Sequence, residues 1–519
     1  MSGGSVAASA VGIAFVVVIS VVVGVVRPRR YTSAAEFYVA ARTVRPWWNG
    51  AAISAEFTSA AACLGLAGLI ALHGASALWY PVGAAAGYVV VIALVVAPLR
   101  RSGTFTLPDF AQWRLGSVAL RRFATWHVLA IGLLYLVAQL HSAGVVLRVL
   151  TGMPTWTGWV SVTLVSVVVT LAGGMGSVTS VQAVQYWLKL VVFTGVALVL
   201  WCAWRCGGRG GARATAGLEG FEGLAAPYGE ALAGAGEPSL PGVLAVLLVC
   251  ALGTMGLPHI IVRVYANGDA RAARRSIVAT QVLLGVFFLV PPLYGILGRV
   301  HVPGAREEEV VLLLPGALLP GTAGDVLTGL LAAGAFAAFL ATSCGVLAAV
   351  SGAVSACVTR AGVGAFRFAT AAVALAALTL TSLTTPATSV IGVLFGFCLS
   401  AATFCPLLVL GIWWRRLTAA GAAAGLVVGG GLTAALAAGD LAGVKLGAVS
   451  VYHMAFTVPL AFVAMVVISL VTPGRVPMGV DRMMARMHLP EQIAGPAEDH
   501  SSPGTDRSSR QHSPYIDDY

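Results

Sequence analysis

Long apolar runs almost free of charge recur along this chain from Val6 to Val471, each parted from the next by a short polar interval. A run of about 20 apolar residues is what a helix needs to cross a bilayer. Hydrocarbon offers the backbone no hydrogen-bond partner, so such runs must be helical. Thirteen qualify, from Val6–Val26 through Trp47–His73, Thr179–Trp204, Leu240–Val262 and Val326–Val358 to Val451–Val471. With 10% of residues charged and 58% apolar, no stretch is polar enough for a separate soluble catalytic domain. The first run has no basic segment before it and leads into Arg27, Arg29 and Arg30, which marks it as an uncleaved first helix.

The formal charge of +11 has a topological explanation. Lys and Arg gather in alternate intervals, at Arg27–Arg30, Arg100–Arg101, Arg263–Arg275 and Arg415–Arg416, and in the tail. Positive residues stay on the cytoplasmic side, so the N-terminus is expected outside and the C-terminus inside a cell membrane. No nucleic-acid partner is needed to account for the charge. The segments Cys206–Pro238 and His301–Asp325 become external loops, residues 1–472 the transmembrane domain, and residues 473–519 a disordered tail.

Few polar groups enter the spans. Glu56 is the single carboxylate in a predicted span and Lys189 the single basic residue, with Arg263 assigned to a cytoplasmic interval. A charge at that depth needs water, a cation or a partner. Glu56 is therefore expected on an ion or proton pathway, or else near a vestibule, and Lys189 either pairs with it or snorkels to the surface. In the seventh run Gly253-Thr254-Met255-Gly256-Leu257-Pro258-His259 interrupts the helix, and the backbone groups so freed must line a protected cavity. Ser54-Ala55-Glu56-Phe57-Thr58-Ser59 is its counterpart in the second run if spans two to six and seven to eleven are inverted repeats, about 47–204 and 240–414. Thr342, Ser343, Ser351 and Ser355 supply hydroxyls in the ninth span, and Tyr135, Gln139, His141 and Ser142 supply donors in the fourth. Membrane hydroxyls commonly bond back to their own helix. No metal-ligand spacing, nucleophile elbow or phosphate-binding loop is present, so no enzyme and no cofactor are expected.

Several further segments occur in a fixed order: Glu36-Phe37-Tyr38-Val39-Ala40-Ala41-Arg42, Thr106-Leu107-Pro108-Asp109-Phe110, Gly173-Gly174-Met175, Gly256-Leu257-Pro258-His259-Ile260-Ile261-Val262-Arg263 and Trp414-Arg415-Arg416-Leu417-Thr418. Together they resemble the sodium/solute symporter family over roughly Ala35–Gly421. The resemblance implies an all-α membrane protein of about thirteen helices, with a LeuT-like 5+5 inverted repeat, one extra N-terminal helix and two extra C-terminal helices. Leu257-Pro258-His259-Ile260, Glu56 three residues before Ser59, and Tyr135–Gln139 are most similar to the branch that carries acetate and other short monocarboxylates.

By the same resemblance, the sodium site takes carbonyls from Ala55, Thr58 and Ala338 and side-chain oxygens at the positions of Ala341 and Thr342. Ala341 departs from the pattern, having no hydroxyl, and leaves Thr342 with Ser343. Gln182 stands where some members keep an aspartate for a further cation, so that second site is expected to be absent. The expected function is import of a small monocarboxylate such as acetate or pyruvate, coupled to sodium or to a proton, by alternating access. Substrate contacts are assigned to Phe57, Ser59, Gln139, Thr254 and Gly256, with the carboxylate at the half-helix that begins after Gly256. The alternatives are an amino acid, sugar or vitamin as cargo, and a membrane sensor.

Overall fold

In the computed structural model, residues 2–26, 40–59, 61–206, 240–357, 362–384, 389–441 and 450–490 are described. Among them every regular element is helical. The expected external segment Cys206–Pro238 lies almost wholly outside these residues.

One helix runs from Thr155 to Cys206, 52 residues. At 1.5 Å per residue it would be about 78 Å long, more than twice the hydrocarbon thickness. It is two spans that meet at Gly173 (φ −162°, ψ 29°) and Gly174 (φ 52°, ψ −140°). The positive φ at Gly174 is open to glycine and strained for any residue with a Cβ. Two further spans are bent pairs: Pro46–Phe57 with Ala61–Leu72 at 68°, and Gly242–Gly256 with Pro258–Tyr265 at 42°. Counted this way, with the shorter apolar helix Ala455–Val471, the described residues carry the thirteen crossings that the apolar runs predict.

The first span, Gly3–Val25, packs on the sixth and ninth. Ser177 Oγ donates to Gly24 O at 2.8 Å, and Gln185 Nε2 donates to Ser20 Oγ at 2.9 Å. The second span packs against Ala270–Phe288 of the eighth and against the sixth, and the seventh packs against Trp79–Val90 of the third and Ser389–Trp413, the eleventh. The ninth span, Thr322–Ala356, is buried along nearly its whole length and forms the wall beside the second.

Two expectations change. The stretch His301–Asp325 is not an open loop: Val310–Leu318 is a helix with Val310, Val311, Leu312 and Leu314 buried. Glu308 in it accepts a hydrogen bond from Ser142 Oγ at 2.7 Å. Five consecutive aliphatic residues, Val310 to Leu314, give that segment an apolar face to bury, which its Glu307-Glu308-Glu309 run obscures. The beginning of the tail is also ordered. Val480–His488 is a helix with Met484 and Met487 buried, and Arg486 Nε donates to Arg101 O at 3.2 Å.

Candidate functional site

The break in the second span contains neither Gly nor Pro and is flanked by hydroxyl residues. Ser54 Oγ donates to Gly50 O at 2.9 Å and Thr58 Oγ1 to Ser54 O at 2.8 Å, while Thr58 N–H keeps its ladder bond to Ser54 O at 2.9 Å. Thr58 adopts φ −75°, ψ 63°, and Ser59 N–H donates to Phe57 O at 2.8 Å. Those are the dihedrals and the bond of an inverse γ-turn. Ser59 N–H is thereby diverted from Ala55 O, its partner in a continuous helix.

Lys189 takes up the freed oxygens. Its Nζ donates to Ala55 O, Thr58 O and Thr58 Oγ1, each at 2.7 Å. The side chain is fully buried and makes neither the surface contact nor the Glu56 pair expected of it. Lys189 lies midway between the Gly173-Gly174 kink and Cys206, too deep to reach an interface.

The partner of Glu56 is Arg263, with Nε 3.3 Å from Oε2 and both side chains fully buried. Arg263 is thus inside the protein and not in a cytoplasmic interval, because the bend at Leu257 carries the half-helix Pro258–Tyr265 on through the interior. Gln182 Nε2 donates to Glu56 Oε2 at 3.2 Å and to Ala341 O at 2.7 Å, while its Oε1 accepts from Arg263 Nη2. Arg263 Nη1 also donates to Thr179 Oγ1 at 2.5 Å. Thr342 Oγ1 donates to Glu56 O at 2.8 Å. Spans two, six, seven and nine are therefore joined in one polar network. Gly345 makes room for it, since a Cβ there would collide with the Glu56 carboxylate and would lie 2.5 Å from Gln182 Nε2.

Around the residues assigned to sodium, the structure brings together Ala55, Thr58 and, through Glu56 O, Thr342. Ala341 presents its carbonyl to Gln182, Ser343 Oγ is buried without a partner, and Ala338 lies inside the continuous ninth helix. The oxygens present do not suit a sodium ion. The three on the second span are engaged by an ammonium, and the Thr342 hydroxyl by a backbone carbonyl.

At the seventh-span break, Ser400 Oγ donates to Gly253 O at 2.8 Å and so satisfies a carbonyl that the bend would strand. Gly256 has the eleventh span against it: a Cβ would lie 2.7 Å from Ser400 Oγ and 2.8 Å from Ser400 O. Thr254 Oγ1 donates to Cys250 O at 2.8 Å, within its own helix. No side chain caps the half-helix at Leu257.

Between the two breaks lies an aromatic cluster. Phe57 meets Tyr88 at 5.4 Å and Phe397 at 6.1 Å between ring centroids, and Phe397 meets Tyr80 at 5.9 Å and Tyr135 at 6.3 Å. Tyr135 also meets His259 at 4.7 Å. Ser59 and Gln139 are buried, the latter one turn beyond Tyr135. The hydroxyls of Tyr88 and Tyr135 are buried with no hydrogen-bond partner. Tyr88 was missed in the sequence because it sits among apolar residues, but a tyrosine in mid-span is a signal in itself, since its hydroxyl needs a partner.

A family model described as the sodium:solute symporter family matches residues 37–429. The uncharacterized symporter YwcA of Bacillus subtilis (strain 168) is 28% identical over 419 residues, 77% of this chain and 80% of that protein. A monocarboxylic acid transporter of Corynebacterium glutamicum is 29% identical over 459 residues, 80% of this chain and 81% of that one. In fold, the chain is similar to the substrate-bound outward-open state of a Na+-coupled sialic acid symporter, with TM-score 0.72, 14% identity, and 89% and 98% of the two chains covered. It is also similar to MHP1, a nucleobase-cation-symport-1 family transporter in a closed conformation, with TM-score 0.56, 12% identity, and 88% and 99% covered. The broken spans, their shared polar network and the match over most of the chain agree: this protein is a membrane transporter that belongs to the sodium:solute symporter family.

Proposed function

We propose that the chain imports a small monocarboxylate, of the size of acetate or pyruvate, together with a cation. The observation that carries this is the pair of buried, unpartnered hydroxyls of Tyr88 and Tyr135 in the cluster between the two breaks. A carboxylate only accepts hydrogen bonds, so it suits a site with spare donors. The uncapped N-terminus of Pro258–Tyr265 adds backbone N–H groups and the positive end of a helix dipole. Phe57 and Phe397 supply an apolar wall for a short alkyl group, and Ser59, Gln139 and the backbone at Gly256 complete the lining. Thr254 holds the helix before the break. The name of the Corynebacterium glutamicum relative supports the same class of solute.

In this reading the Glu56–Arg263 pair makes the two broken spans move as one body, and Glu56 lies on the inner pathway that this motion opens. Cation and solute each favour the closed arrangement, so each raises the affinity for the other by the same factor. The arginine bias supports an N-terminus outside and a C-terminus in the cytoplasm.

Uptake in proteoliposomes tests the proposal. Labelled acetate or pyruvate is expected to accumulate when a cation gradient is imposed, sodium and proton gradients being applied separately, and other short acids are expected to compete. Competition by an amino acid or sugar with none by short acids would overturn it.

A further inference from the structure

We propose that the Lys189 ammonium is a resident cation standing where the family's sodium ion would bind, so that this position works without sodium. The proposal deepens the symporter reading and depends on it, but not on which solute is carried.

The geometry is that of a filled cation site. An ammonium group has three donors and no acceptor. Lys189 Nζ meets three oxygens, Ala55 O, Thr58 O and Thr58 Oγ1, all at 2.7 Å. These oxygens lie at the carbonyl end of the half-helix Pro46–Phe57, where the helix dipole favours positive charge. The nearby carboxylate, Glu56, is engaged by Arg263, so it is this carbonyl end and not a counter-ion that receives the buried ammonium.

Of the remaining oxygens that would complete a sodium shell, Ser343 Oγ alone among the side chains assigned to it is left without a partner, and one hydroxyl does not make a shell. A hard cation needs several oxygen ligands. Ala341 has no side-chain oxygen, and its carbonyl accepts from Gln182; the Thr342 hydroxyl is directed to Glu56 O. The bridging that an ion would perform is done by the chain itself, Lys189 tying the second span to the sixth and Thr342 tying it to the ninth. A tethered cation cannot leave with the solute, so this position holds the break together through the cycle and delivers no ion.

The test uses the full chain, purified in detergent, with radioactive sodium binding and thermal unfolding in sodium chloride against choline chloride of equal ionic strength. Wild type is expected to show no saturable sodium binding and the same Tm in both salts. Lys189→Ala, which uncovers the three oxygens, is expected to gain saturable binding and a sodium-dependent rise in Tm on the order of 1–3 °C. Saturable sodium binding by wild type would overturn the proposal, whether or not any variant folds. So would a Lys189→Ala protein that transports at the wild-type rate while remaining indifferent to sodium. If the solute assignment is wrong, short acids fail to enter in either salt and the binding result still stands; if only this proposal is wrong, uptake persists and wild type binds sodium.

Discussion

Arg263 Nε lies 3.3 Å from Glu56 Oε2, and this contact joins one half of each broken span inside the protein. Removing one member of a buried ion pair strands the other charge, at a cost of roughly 3–5 kcal/mol, whereas replacing both with apolar residues is close to neutral. Glu56→Leu and Arg263→Met are each expected to lose that much stability, and the double variant to recover most of it while losing transport. A thermal-unfolding cycle measures this. A double variant no more stable than the worse single would show that the charges contribute nothing through each other.

Gly345 is required by the same network. A methyl group at that position falls on the Glu56 carboxylate and the Gln182 amide, so Gly345→Ala is expected to destabilise by about 1–3 kcal/mol through overpacking. Gly285→Ala is the control, since a Cβ there meets nothing within 4 Å. Equal melting temperatures for the two variants would contradict the packing described.

The two unpartnered phenols separate binding from folding. Tyr88→Phe and Tyr135→Phe each remove a buried hydroxyl that bonds to nothing in the protein, so stability is expected to hold or rise slightly. Loss of a hydrogen bond to a charged acceptor corresponds to about a tenfold rise in KM for the acid. Uptake kinetics with KM unchanged in both variants would remove the phenols from the solute site.

Glu307, beside the helix Val310–Leu318, lies outside the spans. Burial, with the neighbouring Glu308 adding to it, pushes its carboxyl up to about 7. When the segment detaches, the carboxyl returns to its ordinary value of about 4.3. The packed segment therefore keeps its full stability below that value and loses stability as pH climbs toward about 7, where the packed carboxyl also ionises. Hydrogen exchange across residues 307–318 is expected to show more opening at pH about 7 than at about 5, after correction for intrinsic rates, and Glu307→Gln is expected to flatten the difference.

The chain's thirteen crossings and the seventh-span break were legible because both derive from composition: apolar length sets a crossing, and Gly256 with Pro258 cannot continue a helix. The second break was legible only as a cluster of hydroxyls, since the γ-turn at Thr58 depends on Ser59 N–H choosing Phe57 O over Ala55 O. Arg263 escaped because hydropathy ends the seventh span at Val262, while the bend at Leu257 turns the half-helix Pro258–Tyr265 back into the interior. Its signal was indirect: a lone intramembrane Glu56 demands a cation, and a half-helix beginning at Pro258 carries one on its second turn. Lys189 was visible as a buried charge, but pairing it with Ala55 and Thr58 requires knowing that the break has released their oxygens.

The turn at Gly173 and Gly174 has a practical side. The two spans meet there with both glycines buried and no exposed residue from Leu171 to Val181, so the turn offers a protease no loop to cut. An epitope or fluorescent domain spliced in at that point would have to pry the fifth and sixth spans apart before it could fold.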